Sequence, residues 1–178
     1  MEAAAQPTPL SDVLIDEMTW RCAPRPRRAE WQQAIAELIE EGTFFFDHGA
    51  QPQAARPAAL HGRVEIQPDG VRLSLRTASG AEVGRMELKH SVLAPLLREY
   101  IQKLSAFDAG VDSMGSDAAQ FEAMDIARRL IHDDAAELVQ RSCVGVRPDH
   151  KTARRLFTLL VLLMHDPEKL SLASSWPS

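Results

Sequence analysis

The chain has 178 residues, 45% of them hydrophobic, 25% charged and 6% aromatic, and 25 acidic residues against 20 basic ones give a formal net charge of −5. That length suits one domain with or without tails, and the near-average composition excludes a disordered, collagen-like or disulfide-scaffold chain. The acidic balance argues against a dedicated DNA-coating protein and leaves local phosphate-binding patches open.

Residues 1–11 are Ala, Gln, Pro and Thr with little to bury, which predicts a disordered tail. Val13-Leu14-Ile15 reads as a short strand, and Arg21–Arg28, with two prolines and four arginines, as an extended segment. A helix is expected over Arg27–Glu41. Its Trp31, Ile35, Leu38 and Ile39 recur at helical spacing, and Gly42 stops it. Thr43–Phe46 is a candidate strand, and residues 47–60, broken by Gly49, Pro52 and Pro57, form a flexible loop.

Apolar and polar residues alternate in Arg63–Gln67 and Val71–Thr77 around a Pro68-Asp69-Gly70 turn, in which Gly70 is free to take positive φ. A third strand, Ala81–Leu88, carries a bulge near Gly84. Val64, Ile66, Val71, Leu73, Leu75, Met86 and Leu88 form the buried face of this meander; Arg63, Glu65, Arg72, Arg76, Arg85 and Glu87 form the wet one. Beyond His90 the pattern is helical: Ser91 to about Phe107, Asp117 to about Arg141, then a loop at Val144–Pro148, and a last helix capped by Asp149. That helix is apolar nearly all round, so it is expected to be the most buried. The expected fold is therefore α+β: an N-terminal helix, a small antiparallel meander and a three-helix C-terminal assembly, in one domain over 12–165 followed by a tail at 166–178.

Cys22 and Cys143 are far apart and make no CxxC, and the first residues have neither a basic nor an apolar leader region, so reduced thiols and a cytoplasmic location are expected. The most apolar stretch, Leu156–Met164, is far short of the roughly 20 residues of a membrane span, and no membrane partner is expected.

The segment Glu122–Asp134 carries the chemistry. On a helix, Glu122, Asp125, Arg129 and His132 fall within an arc of about 80° beside the apolar stripe. Such a ribbon suits acid–base work or anion binding. It equally suits ordinary helix pairs, Asp125 with Arg129, Arg129 with Asp133, and Arg128 with His132. No HxxxH, HExxH, Cys cluster, GxGxxG, GxxxxGK or GxSxG is present, so no metal, cofactor or catalytic set is assigned. Arginine supplies 16 of the 20 basic residues. It gathers at Arg21–Arg28, at the start of the last helix (Arg147, His150, Lys151, Arg154, Arg155), and on the sheet's wet face. Interleaved Glu65, Glu82 and Glu87, with no aromatics for stacking, disfavour nucleic acid there.

EAMDIARRLIH (Glu122–His132) and TARRLFTLLVLLMH (Thr152–His165) resemble a bacterial group, uncharacterised protein family 0262, over about residues 12–165. DVLIDE, the helix ending in Gly42, the hairpins and Arg98-Glu99-Tyr100 fall where that family has similar features. The stretch 47–60 is longer than usual, and Asp133-Asp134-Ala135 replaces the family's Asn-Glu-Gly. The resemblance implies a small intracellular bacterial protein and brings no activity with it.

The leading reading is a non-enzymatic binding or regulatory module. Its surface is the charged seam between the last two helices (Glu122, Asp125, Arg129, His132, Arg154, Arg155, Tyr100), meeting a protein partner or an anionic ligand. One alternative is a small hydrolase or transferase with a His132/Asp125 acid–base pair and an arginine clamp. Another is an RNA- or ribosome-associated protein using the sheet face.

Overall fold

A computed structural model describes residues 7–47, 57–111 and 132–164. In chain order the elements are β1 (Thr8–Ile15), α1 (Glu17–Cys22), α2 (Arg25–Glu41), β2 (Thr43–Phe46), β3 (Leu60–Gln67), β4 (Gly70–Arg76), β5 (Glu82–Lys89), α3 (His90–Val111), α4 (132–141), β6 (Cys143–Val144), β7 (Val146–Pro148) and α5 (His150–Met164). The expected tail at 1–6, the loop over 48–56, the first part of the Asp117–Arg141 helix and the tail beyond 164 lie outside the described residues.

The expectation of an N-terminal helix, a small meander and a three-helix C-terminal assembly is overturned. The strands form one seven-stranded mixed sheet in the order β6-β5-β4-β3-β1-β2-β7. Three segments account for the difference. The sheet begins at Thr8, inside the expected tail, where Thr8 and Pro9 pair with β2 and the rest of β1 runs parallel to β3. Residues 17–22, read as partly extended, form α1, because Asp16 Oδ1 accepts the Thr19 N–H at 2.9 Å and so caps a helix. Val144–Pro148, read as a loop, supplies with Cys143 the two outer strands.

Those outer strands nearly close the sheet. β6 and β7 stand at opposite ends of the strand order yet are separated in sequence only by Gly145. The chain must therefore turn from one edge to the other in a single residue, and Gly145 does so at φ +81. Its site is tight, since a Cβ there would lie 2.6 Å from the Val83 carbonyl oxygen. On the facing strand a Cβ at Gly84 would lie 2.7 Å from Val146 Cγ2. The bulge expected near Gly84 is present one residue earlier, where Val83 is the extra residue between the Leu75–Gly84 and Arg76–Glu82 pairs. Gly70 does not take positive φ; it is needed because a Cβ would stand 2.1 Å from the Leu88 carbonyl oxygen.

Inside, Val64, Val71, Leu73, Leu75, Met86 and Leu88 join Trp31 and Leu38 of α2, Ala135, Ala136 and Val139 of α4, and Leu156, Phe157, Leu159 and Leu160 of α5 in one core. Each such large side chain contributes roughly 1.5–3 kcal/mol by leaving water. Helix α5 crosses the middle of this core with seven buried residues. Its N-terminus is held by Asp149, whose Oδ1 accepts the Thr152 N–H at 2.7 Å. Two polar ties cross the core. Trp31 Nε1 donates to the Leu162 carbonyl at 3.0 Å, and the Thr43 N–H donates to the buried Thr152 hydroxyl at 2.8 Å. These ties set the rotation of α5, and with it the direction of the charges at its start.

Candidate functional site

Two basic columns leave the first turns of α5. His150 and Arg154 are four residues apart and share one face; Lys151 and Arg155 share the next. The α4 column meets Asp133. His150 Nε2 lies 2.9 Å from Asp133 Oδ1, and Arg154 Nη1 lies 3.7 Å from the same oxygen. The His150 hydrogen bond holds the Asp133 carboxyl below its usual range; partial burial opposes this, and the charges of Arg154, His150 and His132 add to it. All three side chains remain half exposed. Beside them the His132 ring stands edge-on to Phe157, with centroids 6.1 Å apart at 87°.

The second column faces α2. Lys151 Nζ lies 2.7 Å from Glu41 Oε2, Arg155 Nη1 donates to Glu37 Oε2 at 2.8 Å, and Arg155 Nη2 donates to Glu41. Hydrogen bonds from Lys151 and Arg155 hold the Glu41 carboxyl low. Arg154 and Arg155, expected on one surface, therefore diverge: Arg154 belongs to the α4–α5 seam and Arg155 fastens α5 to α2. Of the other expected residues, Glu122, Asp125 and Arg129 lie outside the described residues, and Tyr100 is described only in its backbone.

The seam extends beyond the expected residues. Asp133, Glu137 and Arg141 recur at i, i+4 and i+8 on α4. Glu137, Gln140 and Arg141 then line an open depression of about 380 Å³ with Cys143 and Arg147. The i, i+4, i+8 spacing was readable; the contribution of Cys143 and Arg147 was not, because it depends on β6 and β7 folding beside α4. Cys143 Sγ donates to the Val139 carbonyl at 3.2 Å. Burial, with Asp47 adding and Arg147 opposing, pushes the thiol up to about 12. At pH 8 only about one thiol in ten thousand is then thiolate. Iodoacetamide should label the exposed Cys22 and spare Cys143 in the native protein at pH 8, with both labelled in denaturant. Mass spectrometry of the labelled peptides checks this, and equal native rates at pH 8 would contradict it.

Two other groupings are less suited to chemistry. Ser11, Asp12 and His61 meet at the β1–β3 bulge, but both Ser11 Oγ (3.2 Å) and Asp12 Oδ2 (2.9 Å) approach the same ring nitrogen, Nδ1. The serine hydroxyl also donates to the Leu60 carbonyl at 3.0 Å. A nucleophilic serine needs a base to accept its proton at the ring nitrogen that does not face the carboxylate, and this arrangement lacks that order. On the outer sheet face, Arg72 binds Glu87 at 2.6 Å, Arg63 lies 2.9 Å from Glu65, and Arg76 lies 4.0 Å from Glu82. Most of that face's arginine charge is thus met by neighbouring carboxylates.

A family model described as an uncharacterised protein family, UPF0262, matches residues 8–166. A UPF0262 protein of Jannaschia sp. (strain CCS1) is 33% identical over 143 residues, covering 79% of this chain and 88% of its own. One from Phenylobacterium zucineum is 32% identical over 163 residues, covering 90% and 95%. Another, from Novosphingobium aromaticivorans, is 32% identical over 165 residues, covering 86% and 94%. No solved structure matches.

Proposed function

The chain belongs to the uncharacterised protein family UPF0262, and from that premise and the geometry of α4 and α5 we propose that it is a non-enzymatic binding or regulatory module of the cytoplasm, whose charged seam docks a protein partner. The observation that carries this reading is the Asp133–His150–Arg154 cluster, in which one carboxylate gathers two basic groups from the neighbouring helix while all three stay half exposed. A preassembled, open set of both charge signs favours partner orientation and association rate more than raw affinity. Glu122, Asp125, Arg129 and His132 belong to the same proposed surface. Of the two arginines that could clamp an anion in the acid–base alternative, Arg155 is engaged by Glu37 and Glu41 on the α2 side, and Arg129 lies outside the described residues.

The test is quantitative co-purification from native cells with the tagged wild type and three variants. Arg154→Glu and Asp133→Lys should each lower partner retention at least tenfold, about 1.4 kcal/mol or more. Arg155→Ala should lower the thermal midpoint and leave retention unchanged. Retention indifferent to both charge reversals would overturn the seam assignment.

A further inference from the structure

The arginine-rich segment Arg21–Arg28 takes no part in the seam, and it lies close in sequence to two of the most exposed apolar side chains among the described residues. Among the described residues four large hydrophobic side chains are exposed, and two of them, Leu14 (64%) and Met18 (72%), flank the β1–α1 corner. Met18 and Arg21 are three residues apart on α1 and share its outward face, together with exposed Cys22. Helix α1 folds back on α2, where Trp20 meets Trp31 with ring centroids 6.1 Å apart. That contact brings α1 beside the turn of α2 that precedes Trp31, which carries Arg27 and Arg28. Arg21 is paired with Glu17 at 2.5 Å. For the side chains of Arg25, Arg27 and Arg28 no hydrogen bond or ion pair is found among the described residues, and the Arg28 N–H donates to the Pro24 carbonyl. The first turn of α2 contains no acidic residue.

We propose that this corner is a contact for an anionic lipid surface: Leu14 and Met18 enter the headgroup region while Arg21, Arg25, Arg27 and Arg28 meet lipid phosphates. Exposed apolar side chains on a corner that also carries arginine, with the intervening Glu17 already paired to Arg21, match the two parts of such a surface, and each basic residue near it adds to the attraction. A nucleic acid would leave Met18 and Leu14 without a role, and Trp20, turned toward Trp31, is not a free stacking platform. No helix among the described residues is long and apolar enough to cross a membrane. The expected lack of a membrane partner rested on span length alone, which a surface contact does not require.

The experiment is co-sedimentation of the full chain with vesicles of phosphatidylcholine alone and of equal parts phosphatidylcholine and phosphatidylglycerol. Binding should be confined to the anionic vesicles and should fall as salt rises. It should weaken about fivefold for each of Arg25, Arg27 and Arg28 changed to Ser, hence about a hundredfold for all three. Met18→Glu should weaken it as well, and since all four side chains lie outside the core, unchanged circular dichroism would accompany these losses. No sedimentation with either vesicle, equal sedimentation with both, or undiminished binding by the triple variant would overturn the proposal. So would retention on a single-stranded RNA homopolymer in place of vesicles.

Discussion

Gly145→Ala should destabilise the protein by about 3 kcal/mol, combining the strain of a non-glycine residue at positive φ with the crowding of a filled site. Gly145 sits at φ +81, and its Cβ would lie 2.6 Å from the backbone oxygen of Val83, which cannot swing aside as a side-chain tip could. The neighbourhood has little room to relax, because the facing Gly84 is pressed just as closely by Val146. Gly80 supplies the control. It has nearly the same conformation, φ +85, but nothing lies within 4 Å of its Cβ position. Gly80→Ala should therefore cost only the conformational part, about 1 kcal/mol. Urea unfolding of the two variants separates the contributions, and hydrogen exchange should show β6 and β7 opening first in Gly145→Ala. Equal losses at the two positions would mean that the Val83 contact is not limiting.

Phe157→Ala should cost about 3–5 kcal/mol, enough to lower Tm by roughly 6–20 °C in a chain of this size. The ring is fully buried at the centre of α5. Helix α5 is tied near its start to β2 through Thr43 and Thr152, and near its end to α2 through Trp31 and Leu162, so the cavity has little scope for collapse. The midpoint of urea unfolding should move while its slope stays constant. Phe157→Ala also removes the ring against which His132 stands edge-on. The His132 resonances should therefore shift in the variant, whereas those of His61, at the β1–β3 bulge, should not. A loss below about 1.5 kcal/mol, the range of volume-conserving swaps, would show that Phe157 is not the keystone of this core.

The parts of the fold that were readable in advance are those set by short-range periodicity. Alternation in 63–67 and 71–77 placed Val64, Leu73 and Leu75 inward and Arg63 and Arg72 outward, because side-chain direction in a strand repeats every two residues whatever the strand pairs with. Helical spacing placed Trp31 and Leu38 on the buried face of α2, and the nearly continuous apolar run of α5 marked it as the central helix. The β1–β3 pairing was not readable, since two parallel strands separated by about 45 residues share no local signal. Strands β6 and β7, two and three residues long, are too short for any period to register. They are strands because β5 and β2 offer them backbone partners.

The candidate site divides the same way. Adjacent Arg154 and Arg155 looked like one basic end, yet about 100° of helix separates consecutive residues. What each one does depended on which helix lay opposite. Arg155 found Glu37, 118 residues away, and Arg154 found Asp133.

From the sequence alone came the family resemblance, the inward faces of the central strands, the core stripe of α2 and the burial of the last helix, all consequences of side-chain order along a local repeat. Only the tertiary structure decided that the sheet has seven strands and nearly closes through Gly145. It likewise assigned one basic column of α5 to α2 and the other to the exposed seam. Those outcomes depend on which distant backbone and side-chain groups meet, and meeting is set by packing of the whole core.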